Sequence, residues 1–200
     1  MQLLGISGSP TAASKTLIAV RRAVDHAQAT WPEISAGVVN IRDHDVQFCD
    51  GRDPSHYAGD TRWIIDRVVE ADALIIGTPM YRGSYTGLLK NLFDVIPNDA
   101  LHGKAVGLIA TGGTDHHYLA IEHELKPVIG FFSGHAIPGG VYANNEHYAN
   151  GDLVDEGVLD RLAALAEAVV RFAQQIPRGL VGAAKPSIPR RSLASESSEE

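Results

Sequence analysis

The chain has one cysteine in 200 residues, Cys49, so an internal disulfide is excluded and the composition fits a reducing compartment. It has no apolar run of bilayer length and no basic region ahead of its short apolar start, MQLLGISGSP. The expectation is therefore a protein without a membrane anchor or secretory leader, working in the cytoplasm. Positive charge is scarce as well. The formal net charge is −7, with 17 Lys and Arg against 24 Asp and Glu and no basic cluster in the folded part, which argues against a nucleic-acid partner. Nine histidines are scattered without metal-ligand spacing, and no G-x-S-x-G elbow follows a strand, so neither a metal site nor a Ser/His/Asp site is expected.

What is present alternates. Apolar runs at 3–6, 38–41, 73–79, 105–113 and 136–143 read as strands. Between and after them, helical spacing recurs in Leu17, Val20, Val24 and Ala27, in Ile64, Val68 and Val69, in Leu88, Leu89, Leu92 and Phe93, and in Val158, Leu162, Leu165 and Val169. Ser14 is placed to cap the first of these helices, and Asp152 or Asp155 the last. The 118–132 segment carries Pro127 in mid-pattern, which removes a helical hydrogen bond and predicts a kink or a π-bulge near His123. Its apolar set Leu119, Leu125, Ile129, Phe131 and Phe132 reads either as a subunit contact or as core. The implied fold class is α/β, a doubly wound five-stranded parallel sheet in the order 2-1-3-4-5. Residues 1–175 form one domain in this reading, and 176–200, rich in Pro, Ser and Gly, a disordered tail or an arm on a partner subunit.

In such a sheet, ligands bind beyond the carboxyl ends of the strands, which collects three unusual loops. The first, GSPTAASKT (8–16), places Lys15 and Thr16 as a nucleotide-binding P-loop does, but has Ser9 and Ser14 at its glycine positions. Serine hydroxyls beside a helix N-terminus suit a monophosphate better than a triphosphate with magnesium. The second, around Pro79, Met80, Tyr81 and Arg82, offers a flat aromatic surface. The third, Thr111, Gly112, Gly113 and on to His117, lets backbone approach a planar ligand. One phosphate loop and two ring loops describe a flavin mononucleotide site; ordinary strand-to-helix turns are the alternative reading of each.

Taken together, GSPTAASKT, TPMYRGSYTGLLKNLFD and ATGGTDHHYLAIEHELKP resemble the NADPH-dependent FMN reductase family over roughly residues 2–145, above all the reductase components of two-component alkanesulfonate and methanesulfonate monooxygenases. The resemblance implies a flavodoxin-like fold that binds FMN and NADPH, or NADH, as a homodimer or homotetramer. It implies reduced flavin passed to a flavin-dependent monooxygenase. It places Ser9, Ser14, Lys15 and Thr16 on the phosphate, Pro79, Met80, Tyr81 and Arg82 beside the ring, and Thr111, Gly112, Gly113 and His117 at its other edge. His123 then belongs to subunit packing and flavin exchange. Thr11 departs from the pattern, since many similar members carry arginine there. No protein acid or base is required for hydride transfer. A quinone or azo reductase retaining its FMN is the enzyme alternative, and a flavodoxin-like electron carrier the non-enzyme one.

Overall fold

The computed structural model describes residues 1–176 and 182–183. The expected tail at 176–200 therefore lies almost wholly outside the described residues. Strands β1 (Gln2–Ser7), β2 (Ser35–Asn40), β3 (Ala73–Pro79) and β4 (Ala105–Thr111) alternate with helices α1 (Lys15–Thr30), α2 (Gly59–Glu70) and α3 (Gly87–Val95). After β4 come a π turn (Ile121–Leu125), α4 (Lys126–Phe131), two short strands β5 (His135–Ala136) and β6 (Val141–Ala143), a hairpin of β7 (Tyr148–Ala149) and β8 (Asp152–Leu153), and α5 (Glu156–Gln175). The sheet is parallel in the order β2-β1-β3-β4-β5, with β6 also on β4. This is the expected doubly wound order.

Strand alternation divides the core. Leu4, Ile6, Leu74, Ile76 and Leu108 face α2, α3 and α4, whereas Leu3, Ile75 and Ile109 face α1 and α5. Gly77 lies on the second face, where a methyl group would come within 2.5 Å of Val20 Cγ2 and 3.0 Å of Thr16 Cγ2. Its missing side chain is what lets the first turn of α1 lie against the end of β3. Ser14 caps α1, its Oγ accepting from the Leu17 N–H at 3.0 Å, and Asp155 rather than Asp152 caps α5.

One expectation changes. The single strand at 136–143 is split: β5 pairs with Ala105–Val106 and β6 with Ile109–Thr111, the register slipping by two residues between them. Pro138 has no N–H to give and Gly139 sits at φ 81°, so the link leaves the ladder. Of the apolar set on the flawed helix, Leu125, Ile129 and Phe132 are core, and only Leu119 and Phe131 remain exposed, joined by Tyr118. The π turn falls around His123, with the Lys126 N–H reaching back to Ile121 O. Pro127 is the cause, because it offers the His123 carbonyl no donor.

At the opposite, amino-terminal rim of the sheet, Lys104 is buried and donates to the carbonyls of Val68 and Val69 at 2.9 and 2.7 Å. Burial pulls its ammonium down to about 8. Both bonds survive loss of the proton, since a neutral amine keeps two N–H groups. Among the described residues no helix is long and apolar enough to cross a membrane.

Candidate functional site

The three loops meet at the carboxyl rim, and they are bolted to one another by side chains. Thr86 caps α3, accepting from Leu89 N, and gives its own hydroxyl proton to Gly8 O at 2.6 Å. The first and second loops are thereby joined. The hydroxyls of Thr16 and Thr111, both buried, meet at 2.6 Å and tie α1 to the end of β4. Met80 N donates to Thr111 O at 2.7 Å and joins the second loop to the third. The twelve candidate residues thus lie on three segments held by short buried bonds, which is how a site gains rigidity.

Within the first loop, Ser9 is buried, and its hydroxyl meets that of Thr11 at 3.1 Å and accepts from the Thr11 N–H at 3.4 Å. Ser7 Oγ, fully buried, has no partner among the described residues. Lys15 is turned toward another element: its ammonium donates to Asn145 Oδ1 at 2.8 Å and lies 5.1 Å over the ring of Tyr148. Tyr148 in turn donates to Lys15 O at 3.0 Å, and burial pushes its hydroxyl well above the usual phenol value, so it stays a donor.

The second loop is a tight turn. Tyr81 and Ser84 exchange backbone bonds around Arg82 and Gly83, whose φ angles are 54° and 85°. Positive φ at both central residues is the type I′ geometry, and a non-glycine residue there carries strain of about 1 kcal/mol. Arg82 and Tyr81 are consequently presented to solvent at the rim, while Met80 and Pro79 are buried beneath them. Ser84 donates to Glu124 in the π turn at 2.9 Å, so this loop also leans on the kinked segment.

The third loop is fixed from the far side. Gly112 N donates to Ala143 O at 3.1 Å, Tyr142 donates to Thr114 O at 2.6 Å, and Asn144 donates to Asp115 at 2.9 Å. His117 ends its short helical turn half-buried, and a side chain at Gly113 would stand in ordinary contact with Asn145 Nδ2, at 3.8 Å. All twelve expected residues therefore gather on one rim. Thr16 and Thr111 do so with their hydroxyls turned to each other, and Lys15 with its ammonium on Asn145.

Residues that sequence reading overlooked complete the frame: Thr86, Asn144, Asn145, Tyr148 and Arg42. Thr86 sits two residues beyond Ser84 in a Thr-Gly-Leu-Leu start typical of a capped helix, a usable signal. The others act across 29 or more residues of sequence, and nothing local marks them. A recess of about 680 Å³ lies elsewhere, between α2 and the 49–55 loop. Its charges are paired internally, Arg52 with Asp50 and Arg62 with Asp66. Among the described residues no cluster of His, Cys, Asp or Glu is arranged to hold a metal ion.

Residues 1–149 match the family described as NADPH-dependent FMN reductase. An NAD(P)H-dependent FAD/FMN reductase of Geobacillus thermodenitrificans is 44% identical over 92% of this chain and 99% of its own length. The NADH-dependent FMN reductase SfnF of Pseudomonas putida is 32% identical over 87% of this chain and 94% of its own. Among solved structures, the apo form of an NADH:FMN oxidoreductase (EMOB) superposes with a TM-score of 0.73 at 27% identity, covering 88% of this chain and 90% of that one.

Proposed function

This chain belongs to the NADPH-dependent FMN reductase family, and from that premise we propose that it transfers hydride from NAD(P)H to FMN at the rim formed by its three loops. The observation that carries the reading is the donor set of the first loop. Ser7 Oγ is buried with no partner among the described residues, Ser9 is buried and its hydroxyl meets Thr11 alone among them, and the opening turn of α1 carries N–H groups with no helical acceptor. Surplus donors and a helix dipole around a small loop fit the three acceptor oxygens of a phosphate monoester.

Ser9, Ser14, Lys15 and Thr16 would hold the phosphate end. Pro79, Met80, Tyr81 and Arg82 would flank one edge of the ring, and Thr111, Gly112, Gly113 and His117 the other. When bound, FMN supplies the two-electron acceptor. The chain's own contribution is to orient and to exclude water: the Thr16–Thr111 and Thr86–Gly8 bonds fix the rim before any ligand arrives. No side chain is assigned a proton-transfer role.

Arg82 is the nicotinamide nucleotide's phosphate contact in this reading, because the strained turn holds its guanidinium out at the rim. Arg82→Ala is expected to raise the NAD(P)H KM about tenfold with kcat within a factor of two. An unchanged KM would remove Arg82 from the nucleotide site. Relatives are named for NADH and for NADPH alike, so both coenzymes belong in that assay.

Reduced FMN leaving the enzyme would serve a flavin-dependent monooxygenase in the cytoplasm. Exposed Tyr118, Leu119 and Phe131 beside the π turn support assembly as a homodimer or homotetramer, with His123 in the contact. The decisive experiment strips flavin and follows NADPH oxidation in air as FMN is returned. A rate that saturates only at FMN far above the enzyme concentration is expected. Full activity at one equivalent, limited then by added quinone, would replace this reading with a quinone reductase that retains its flavin, and no oxidation at all would leave an electron carrier.

A further inference from the structure

The lysine of the first loop, Lys15, is engaged on Asn145. The geometry points to Arg42 as the side chain that supplies this loop with positive charge, making it a phosphate-recognition residue brought in from the end of β2. This inference rests on the FMN reading above and adds to it a residue 32 positions from the loop it serves.

Arg42 lies in a short helical turn, Ile41–Asp43, directly after β2. Because β2 pairs with β1 in register Ser7↔Asn40, that turn opens beside the start of the phosphate loop. Arg42 Nε donates to Pro10 O at 3.1 Å, between Ser9 and Thr11. Only this one donor of five is used within hydrogen-bond distance among the described residues. The nearest carboxylate oxygen, on Asp43, stands 3.7 Å from Nη1, and the other oxygen of that carboxylate takes the Asn40 amide at 2.9 Å. The remaining guanidinium N–H groups are free for a bidentate acceptor, the geometry in which arginine binds phosphate.

A second observation lies beneath it. Ser7 Oγ and Asn40 Oδ1, on paired residues, are both buried and both without a partner among the described residues. Unsatisfied polar atoms at such a place cost stability unless a ligand or water meets them. The loop is then flanked by two cations from opposite sides: Lys15, held toward the β6 side by Asn145, and Arg42 from the β2 side. The carboxylate of Asp43 tempers the second of them.

The test compares FMN with riboflavin, which lacks the phosphate, by titrating the apoprotein and following flavin fluorescence. Arg42→Gln keeps a donor for Pro10 O and removes the charge. It is expected to weaken FMN about tenfold or more and leave riboflavin within a factor of two. Asp43→Asn is expected to tighten FMN a few-fold, and added salt to weaken the parent's FMN binding more than that of Arg42→Gln. Equal losses for both flavins would mean that Arg42 merely shapes the loop, and unchanged FMN binding would overturn the proposal outright. If the parent apoprotein bound neither flavin, the FMN reading itself would fall, and this inference with it.

Discussion

Ser14→Asp is expected to leave unfolding within about 1 kcal/mol of the parent while weakening FMN binding about 100-fold. Ser14 holds extended backbone angles, φ −88° and ψ 107°, and caps α1 through Leu17 N. Aspartate caps as well as serine and adds a favourable charge at the helix start. That same carboxylate stands where a phosphate dianion is proposed to bind. Like charges brought together in a partly buried site cost several kcal/mol, and 100-fold corresponds to about 2.7 kcal/mol. Thermal melts and fluorescence titrations with FMN and riboflavin separate the two effects. A melt near the parent's with FMN affinity also unchanged would place the phosphate somewhere other than this loop.

Gly77→Ala acts through the scaffold, and its expected cost is about 3 kcal/mol, near the upper end for a single overpacking change. The added methyl would sit 2.5 Å from Val20 Cγ2. Val20 is fully buried in a helix, where a β-branched side chain has one strongly preferred rotamer, so it cannot swing away. Helix α1 must lift instead, stretching the Thr16–Thr111 bond that joins it to β4. For a chain of this length the midpoint of thermal unfolding should fall about 6–12 °C, and urea unfolding should show the same loss. Adding Val20→Ala makes room for the methyl, and the double variant should lie closer to Val20→Ala alone than additivity predicts. A Gly77→Ala protein as stable as the parent would mean that α1 is not seated on this glycine.

These two residues differ in how visible they are. Ser14 announces itself: serine one position before an apolar helical stripe is an N-cap signal, and the structure has it capping. Gly77 reads as strand punctuation, and only the packing of α1 shows that its bareness is structural. The same contrast runs through the fold. The all-apolar runs of β3 and β4 leave no choice but strands buried on both faces, and Pro127 foretells a disturbed helix because one missing N–H has a fixed address. The split of β5 and β6 was not legible, since Ala-Ile-Pro-Gly-Gly-Val-Tyr-Ala offers apolar residues throughout and the slip depends on where β4 holds its partners. At the rim, residue types within single loops pointed to the site. The bonds between loops did not, because Thr16 meets Thr111 across 95 residues and Lys15 meets Asn145 across 130. Leu125 and Ile129 could not be told from surface by spacing, as the π turn shifts the helix face after it.

The internal amine at Lys104 gives the molecule an electrical polarity from rim to rim. Where α2 ends, the carbonyls of Val68 and Val69 are answered from inside the fold by Lys104. Where α1 begins, Ser14 answers the Leu17 amide, and the N–H groups ahead of it have no acceptor within the helix, which makes that rim receptive to dissolved anions. One rim secures α2 against β4 while the other is free to be retuned. Substitutions in the three loops can then be made without loosening the seam at the far end of the sheet.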